Sequence, residues 1–472
     1  TAAKEHRTTG SRGDAPGRPR RHTCRVALGV APTRCLPGAA AAGAMQAALA
    51  LAALAHVAAA APVGCPWETT SMFPGGWPRV LDGGIYWFGP GDQAEKAGNW
   101  SQFYNASRDT VIYFHGWLGS VGKPREGCYR PTSSCDTSLC GKSIPMANTW
   151  LQQGWNVGFF YWDQFADEAC ARDAEQKIWF DRGSKGLRWA SYGVDDQKEY
   201  HTFDGGDIGV TSIADLCVRS VDAVMGNFSG RQLRFVGHSL GAQLAAHCAS
   251  KLQSAVHTAR PTRLTLLDPI FTERHLRLLR CSSISLEAGV GDFAASATAN
   301  AVQILRRQGV PTELYKSSAY SESNLIANTN EALDAITLLV EYEPAWCDDM
   351  YQKWLHLKMN WHCRHKAAVP LYFWSLGSSP STIEGDEIGA LALPGSCLVP
   401  SAACTDGQLL QMLRIQQQAI GSSGRQKWWQ QVGGRGTMSV SDDTFEAKTK
   451  DADATGSGAA VSIGGPSGGT AG

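Results

Sequence analysis

The stretch 231–252 constrains this chain more than any other. Residues 231–236 form a short run ending in Phe235 and Val236, followed by Gly237-His238-Ser239-Leu240-Gly241 and then an alanine-rich segment reaching Leu252. A G-x-S-x-G turn joining a buried strand directly to a helix calls for a sheet with helices packed on it. The flanking glycines allow close backbone approach where a Cβ would clash, so the serine hydroxyl is pushed clear of the sheet. The Leu240 N–H opens the helix, where the partial positive charge of the helix end favours an anion. Ser239 is therefore a candidate nucleophile, and Leu240 a candidate donor to a developing oxyanion.

The rest of the chain repeats the alternation. Short apolar strands are expected at 111–114, 155–161, 263–267 and 312–316, and helices at 143–153, 211–226, 300–308 and 362–375. This pattern predicts an α/β fold, a mostly parallel sheet with helices on both faces. Residues 62–110 are rich in Gly, Pro and aromatics without a clear period. From 421 the chain is rich in Gly, Ser, Ala, Thr and Asp, a composition read as a disordered tail over 421–472. That leaves one domain at 62–420.

The N-terminal region has a different character. Residues 1–44 carry eight basic residues against two acidic ones, Glu5 and Asp14, with no helical or strand period. Met45 is followed by an uncharged, alanine-rich apolar run ending in small residues. The expectation is a signal peptide over 45–61 that begins at Met45, preceded by a non-native extension over 1–44. Twelve of the 14 cysteines lie between Cys65 and Cys404. Together with sequons at Asn99, Asn105 and Asn227, they predict a secreted, disulfide-bonded glycoprotein. Lys and Arg balance Asp and Glu at 43 each, so 45–472 is mildly acidic. That gives no electrostatic footprint for nucleic acid.

An acyl-transfer serine needs a base and an acid, expected in the order Ser, Asp/Glu, His. Asp268, in Leu267-Asp268-Pro269, ends the next expected strand and is the first candidate acid; Glu322 is the second. His356, His362 and His365 are candidate bases, and spacing does not choose among them. His362, Cys363 and His365 are all metal-ligand types, but no further pair sits at zinc-like spacing and there is no H-E-x-x-H, so neither metal nor other cofactor is expected. A second oxyanion donor is expected from the loop after 111–114, in His115-Gly116-Trp117, through the Trp117 N–H.

His-Gly-Trp (115–117), Gly-His-Ser-Leu-Gly (237–241), Leu-Asp-Pro (267–269) and Cys-x-His (363–365) with Tyr372-Phe373 after it resemble, in that order, the pancreatic-type lipases. The stretch 155–168 resembles secreted lipase-like proteins of protists. The resemblance spans about 105–376. It implies an α/β-hydrolase fold, with Ser239 as nucleophile, Asp268 as acid, His365 as base and Trp117 and Leu240 as oxyanion donors. It also implies a lipid ester substrate at a lipid–water interface. No C-terminal β-sandwich and no protein partner are evident. Residues 270–345 are long enough to hold a lid. The rival readings are a small-ester esterase or thioesterase of the same fold and a catalytically silent lipid-binding protein; the intact Ser/Asp/His set argues against the silent one.

Overall fold

The computed structural model describes residues 80–451 except 91–92, 99, 118–145, 182–185, 193–196, 204–208, 255–256, 258, 273–289, 319–329, 350–358, 383–396 and 424. Every described residue lies in one compact unit, within 60–472. The expected extension, the signal peptide, Asn99, Glu322 and His356 fall outside the described residues, as does the side chain of His362.

Thirteen strands are described: β1 (Gly84–Phe88), β2 (Ala94–Lys96), β3 (Thr110–Phe114), β4 (Asn156–Tyr161), β5 (Trp189–Tyr192), β6 (Lys198–His201), β7 (Leu233–His238), β8 (Arg263–Leu267), β9 (Thr312–Lys316), β10 (Leu338–Glu341), β11 (Ser381–Thr382), β12 (Arg425–Gly433) and β13 (Thr444–Asp451). β5 and β6 form a separate antiparallel ribbon. The other eleven make one sheet in the order β11-β13-β12-β10-β9-β8-β7-β3-β4-β1-β2. Its centre, from β4 through β3, β7, β8, β9 and β10 to β12, is parallel. β1 and β13 run antiparallel to their inner neighbours.

Alternating side chains explain why the central strands are buried at every position. In β3, Val111 and Tyr113 enter one core while Ile112 and Phe114 enter the other. Helices Met146–Gln152, Met359–Trp374 and Asp406–Ser423 cover the first face, through Trp150, Phe373 and Leu409 among others. Helices Ala171–Trp179, Ile213–Met225, Leu240–Ser254 and Val290–Arg307 cover the second. A sheet buried on both faces is what parallel pairing requires. The fold is α/β, as the alternation predicts.

The chain passes from β3 to β4 in one direction along the sheet, and β7 then pairs with β3 on the opposite side. The loops after β3 and β7 therefore leave the carboxyl edge in opposite directions. Such a switch point opens a crevice, the general position of ligand sites in open α/β sheets. Three disulfides join described residues. Cys217–Cys248 ties two helices of one face, Cys347–Cys363 holds helix Met359–Trp374, and Cys397–Cys404 closes a short loop. Among the described residues no helix is long and apolar enough to cross a membrane.

Three expectations need correction. Residues 425–451 are not an irregular tail: they form the β12–β13 hairpin, which pairs with β10 and extends the sheet. Trp429, Val440, Phe445 and Ala447 are buried in the core, so a few large side chains outweigh the Gly- and Ser-rich composition around them. The domain boundary at 420 is wrong for the same reason, since helix Asp406–Ser423 runs through it. Within 270–345, helix Val290–Arg307, β9 and β10 belong to the scaffold, and 273–289 and 319–329, where a lid would have to lie, fall outside the described residues. The helix expected at 300–308 begins ten residues earlier, at Val290.

Candidate active site

Ser239 sits between the end of β7 and the start of helix Leu240–Ser254, with φ of +58°. A left-handed backbone is uncommon for a residue with a Cβ and marks the strained turn that lifts this side chain off the sheet. A Cβ on Gly237 would lie 2.6 Å from the Cα of Ala242, and one on Gly241 would run into the backbone of Phe114 and His115. Both glycines are therefore dictated by contact. The Ser239 N–H donates to the Leu267 carbonyl at 3.0 Å, which ties the turn to β8. Leu240 is the first residue of a 15-residue helix, whose opening N–H groups have no partner within the helix.

Asp268 follows β8 and is fully buried, also with positive φ, at +43°. Its Oδ1 accepts the backbone N–H groups of Ser317 at 2.7 Å and Ser318 at 3.1 Å. Its Oδ2 accepts the Ser318 hydroxyl and lies 2.5 Å from Nδ1 of His365. An ionised carboxylate can only accept, so the proton between them sits on Nδ1 and the basic nitrogen of His365 is Nε2. His365 comes from helix Met359–Trp374 and is 6% exposed. The ring of His238, immediately before Ser239, lies 4.5 Å from the His365 ring, and its Nε2 donates to the His365 carbonyl at 3.0 Å. The expected acid and one of the three expected bases are thus brought together, packed against the residue that precedes Ser239.

The loop after β3 presses on the serine from the other side. A Cβ on Gly116 would lie 2.6 Å from the Ser239 Cβ and 3.0 Å from its Oγ. The Trp117 indole donates to the Glu168 carbonyl at 2.7 Å. The Glu168 side chain is itself buried between Lys177, at 2.6 Å, and Arg188, whose Nε donates at 2.7 Å. Burial works to raise the Glu168 carboxyl, but the hydrogen bonds and charges of Arg188 and Lys177 outweigh it and hold it below the usual range. Burial pulls Lys177 down to about 8, against the attraction of Glu168.

A second buried carboxyl, Glu175, anchors the segment after Asp268. It accepts the Thr272 N–H at 3.1 Å and the Gln243 amide at 2.6 Å, and Gln243 also donates to the Ile270 carbonyl at 2.7 Å. Gln243 belongs to the helix that follows Ser239, so the nucleophile helix and the acid loop are cross-linked. Burial raises the Glu175 carboxyl despite these donors. Sequence reading missed Ser317, Ser318, Glu175 and Gln243. The Ser-Ser pair directly after an expected strand was the one available signal, and it does not say which carboxylate it faces. Among the described residues no group of three or more His, Cys, Asp or Glu side chains is placed to hold a metal ion.

No family model matches the chain, and neither does any curated protein. The thioesterase domain of the curacin biosynthetic pathway is 12% identical, with a TM-score of 0.29 over 62% of this chain and 99% of that one. A membrane phospholipase A, described as a novel bacterial virulence factor, is 14% identical, with a TM-score of 0.26 over 64% of this chain and 90% of its own. Likenesses this low speak to neither family nor activity, and the α/β architecture rests on the strand order and the two covered faces.

Proposed function

We propose that the chain is a serine ester hydrolase, with Ser239 as nucleophile, His365 as general base and Asp268 as the carboxylate that orients it. The observation that carries this reading is the 2.5 Å contact between His365 Nδ1 and the buried Asp268, packed against His238 at the start of the left-handed turn that carries Ser239. His365 Nε2 takes the hydroxyl proton as Oγ bonds to the ester carbonyl carbon, and the carbonyl electron pair moves onto its oxygen. That oxyanion is met by the N–H groups of Leu240 and Trp117. Collapse expels the alcohol, which receives the proton from His365. Water then repeats the sequence on the acyl-enzyme and releases the acid.

Lipid esters are the proposed substrate class, on the order and identity of the four motifs. Secretion is proposed on the apolar run 45–61 and the three disulfides. The test is hydrolysis of p-nitrophenyl esters of increasing chain length and of emulsified triacylglycerol by the full chain, beside Ser239→Ala. Activity that rises with chain length and disappears in Ser239→Ala supports the lipid reading. Cleavage of short esters alone narrows the enzyme to a small-ester esterase. Equal rates for wild type and variant on every ester overturn the catalytic assignment.

A further inference from the structure

We infer that His115 is a positioning residue that sets the direction of one oxyanion donor; this rests on the reading of Ser239 as an acyl-transfer nucleophile. His115 is buried, and both ring nitrogens have partners. The Trp162 N–H donates to Nε2 at 3.2 Å, and Nδ1 lies 2.9 Å from the Gly116 carbonyl oxygen. A backbone N–H can only donate, so Nε2 must be a bare acceptor. The ring is therefore neutral, with its proton on Nδ1, and that proton goes to the Gly116 carbonyl. An imidazolium has no acceptor for the Trp162 amide, and the opposite tautomer has no donor for the carbonyl.

The consequence follows from peptide geometry. The Gly116 carbonyl and the Trp117 N–H belong to one planar trans unit and point in opposite directions. A ring that holds the carbonyl on one side turns the Trp117 N–H to the other. Three further contacts lock the arrangement. The Trp162 indole donates to the His115 carbonyl at 2.8 Å and its ring stacks on the imidazole, while the Trp117 indole is held by the Glu168 carbonyl at 2.7 Å. The peptide is thus fixed before any substrate arrives, which is what lets a donor act without reorganising as charge develops.

The experiment compares wild type with His115→Phe, which keeps a ring to stack on Trp162 but has no donor, and His115→Asn, whose amide nitrogen sits near the place of Nδ1. Steady-state ester hydrolysis is read alongside the nitrogen-15 spectrum of the His115 ring. His115→Phe should lower kcat about 10- to 100-fold with KM held within about twofold, because the lost interaction exists only in the transition state. His115→Asn should regain most of that loss. The spectrum should show one protonated Nδ1 and one bare Nε2. An unchanged kcat in His115→Phe, an Asn variant no better than Phe, or a protonated Nε2 overturns the inference alone. A wild-type chain that cleaves no ester overturns it together with the catalytic reading.

Discussion

Gly116→Ala places a methyl group 2.6 Å from the Ser239 Cβ. Carbon atoms rest about 3.5–4.0 Å apart, so roughly 1 Å must be found by moving one loop or the other. The serine has little room to yield, because its N–H is tied to Leu267 and its helix is packed over the sheet. Displacing a reacting atom by about 1 Å costs on the order of 100-fold in rate. Overpacking costs about 1–3 kcal/mol of stability. The clash can be separated from general damage by Ser239→Gly, which removes the Cβ on the far side of the contact. That change also relieves a left-handed φ worth about 1–2 kcal/mol for a residue with a side chain, so by itself it should raise Tm. The stability cost of Gly116→Ala should then shrink by about 1–2 kcal/mol in the Ser239→Gly background. Thermal unfolding of the four proteins gives the cycle, and ester turnover with fluorophosphonate labelling of Ser239 gives the catalytic effect. Turnover in Gly116→Ala within about threefold of wild type, or an equal cost in both backgrounds, refutes the argument.

Other consequences are simpler to state. His365→Ala should lower kcat by roughly 1,000-fold or more, whereas His362→Ala should leave it nearly unchanged; the reverse result moves the base to His362. Replacing Cys347 and Cys363 by Ser frees helix Met359–Trp374 two residues before His365 and should cost about 2–4 kcal/mol, read as a drop in Tm accompanied by lower kcat. Burial, reinforced by the charge of Asp442, raises the carboxyl of Asp443 to about 7, above an unfolded value of about 3.9. Between those values the folded state keeps a proton that the unfolded state has lost, so the stability from this group is full below about pH 4 and declines as pH rises towards 7. Asp443→Asn should therefore raise Tm at pH 8, leave it unchanged near pH 4 and flatten the profile between; an unchanged profile refutes the assignment. Trp429→Ala should cost about 3–5 kcal/mol, since the ring is buried and its indole donates to the Leu398 carbonyl at 3.1 Å. A negligible change in Tm would mean the hairpin is dispensable.

Strong local signals made the centre of the sheet legible. β3 and β4 are largely apolar runs, β7, β8 and β9 mix apolar with buried polar residues, all five are buried on both faces, and the turn at 237–241 has glycines for which contact allows no substitute. Ser239 and Asp268 could be singled out because each ends a strand of that kind. The outer elements were less visible. β1 is apolar but lies among glycines and prolines that hide its limits, and β12 buries Trp429 together with Gln426 and Gln431 in a polar run, so composition does not reveal it. Spacing did not separate the candidate bases and only the resemblance pointed to His365; what the fold adds is its place beside Asp268, on a helix that returns to β7 from more than a hundred residues away. Ser317 acts through its backbone amide, which leaves no mark on side-chain identity, and Ser318 adds its hydroxyl, which does not say which carboxylate it serves.

The hairpin that completes the sheet has a consequence for how the chain is made. β12 pairs with β10, yet follows it by about 80 residues. At about 5–20 residues per second, the β10 edge waits on the order of 5–15 s for its partner as the chain emerges. For that interval Leu338, Leu339 and Val340 form an apolar strand with one side unpaired, the kind of edge that recruits strands from other chains. Damage to the hairpin should therefore show itself first as lost yield during synthesis, before any defect appears in the chemistry at Ser239.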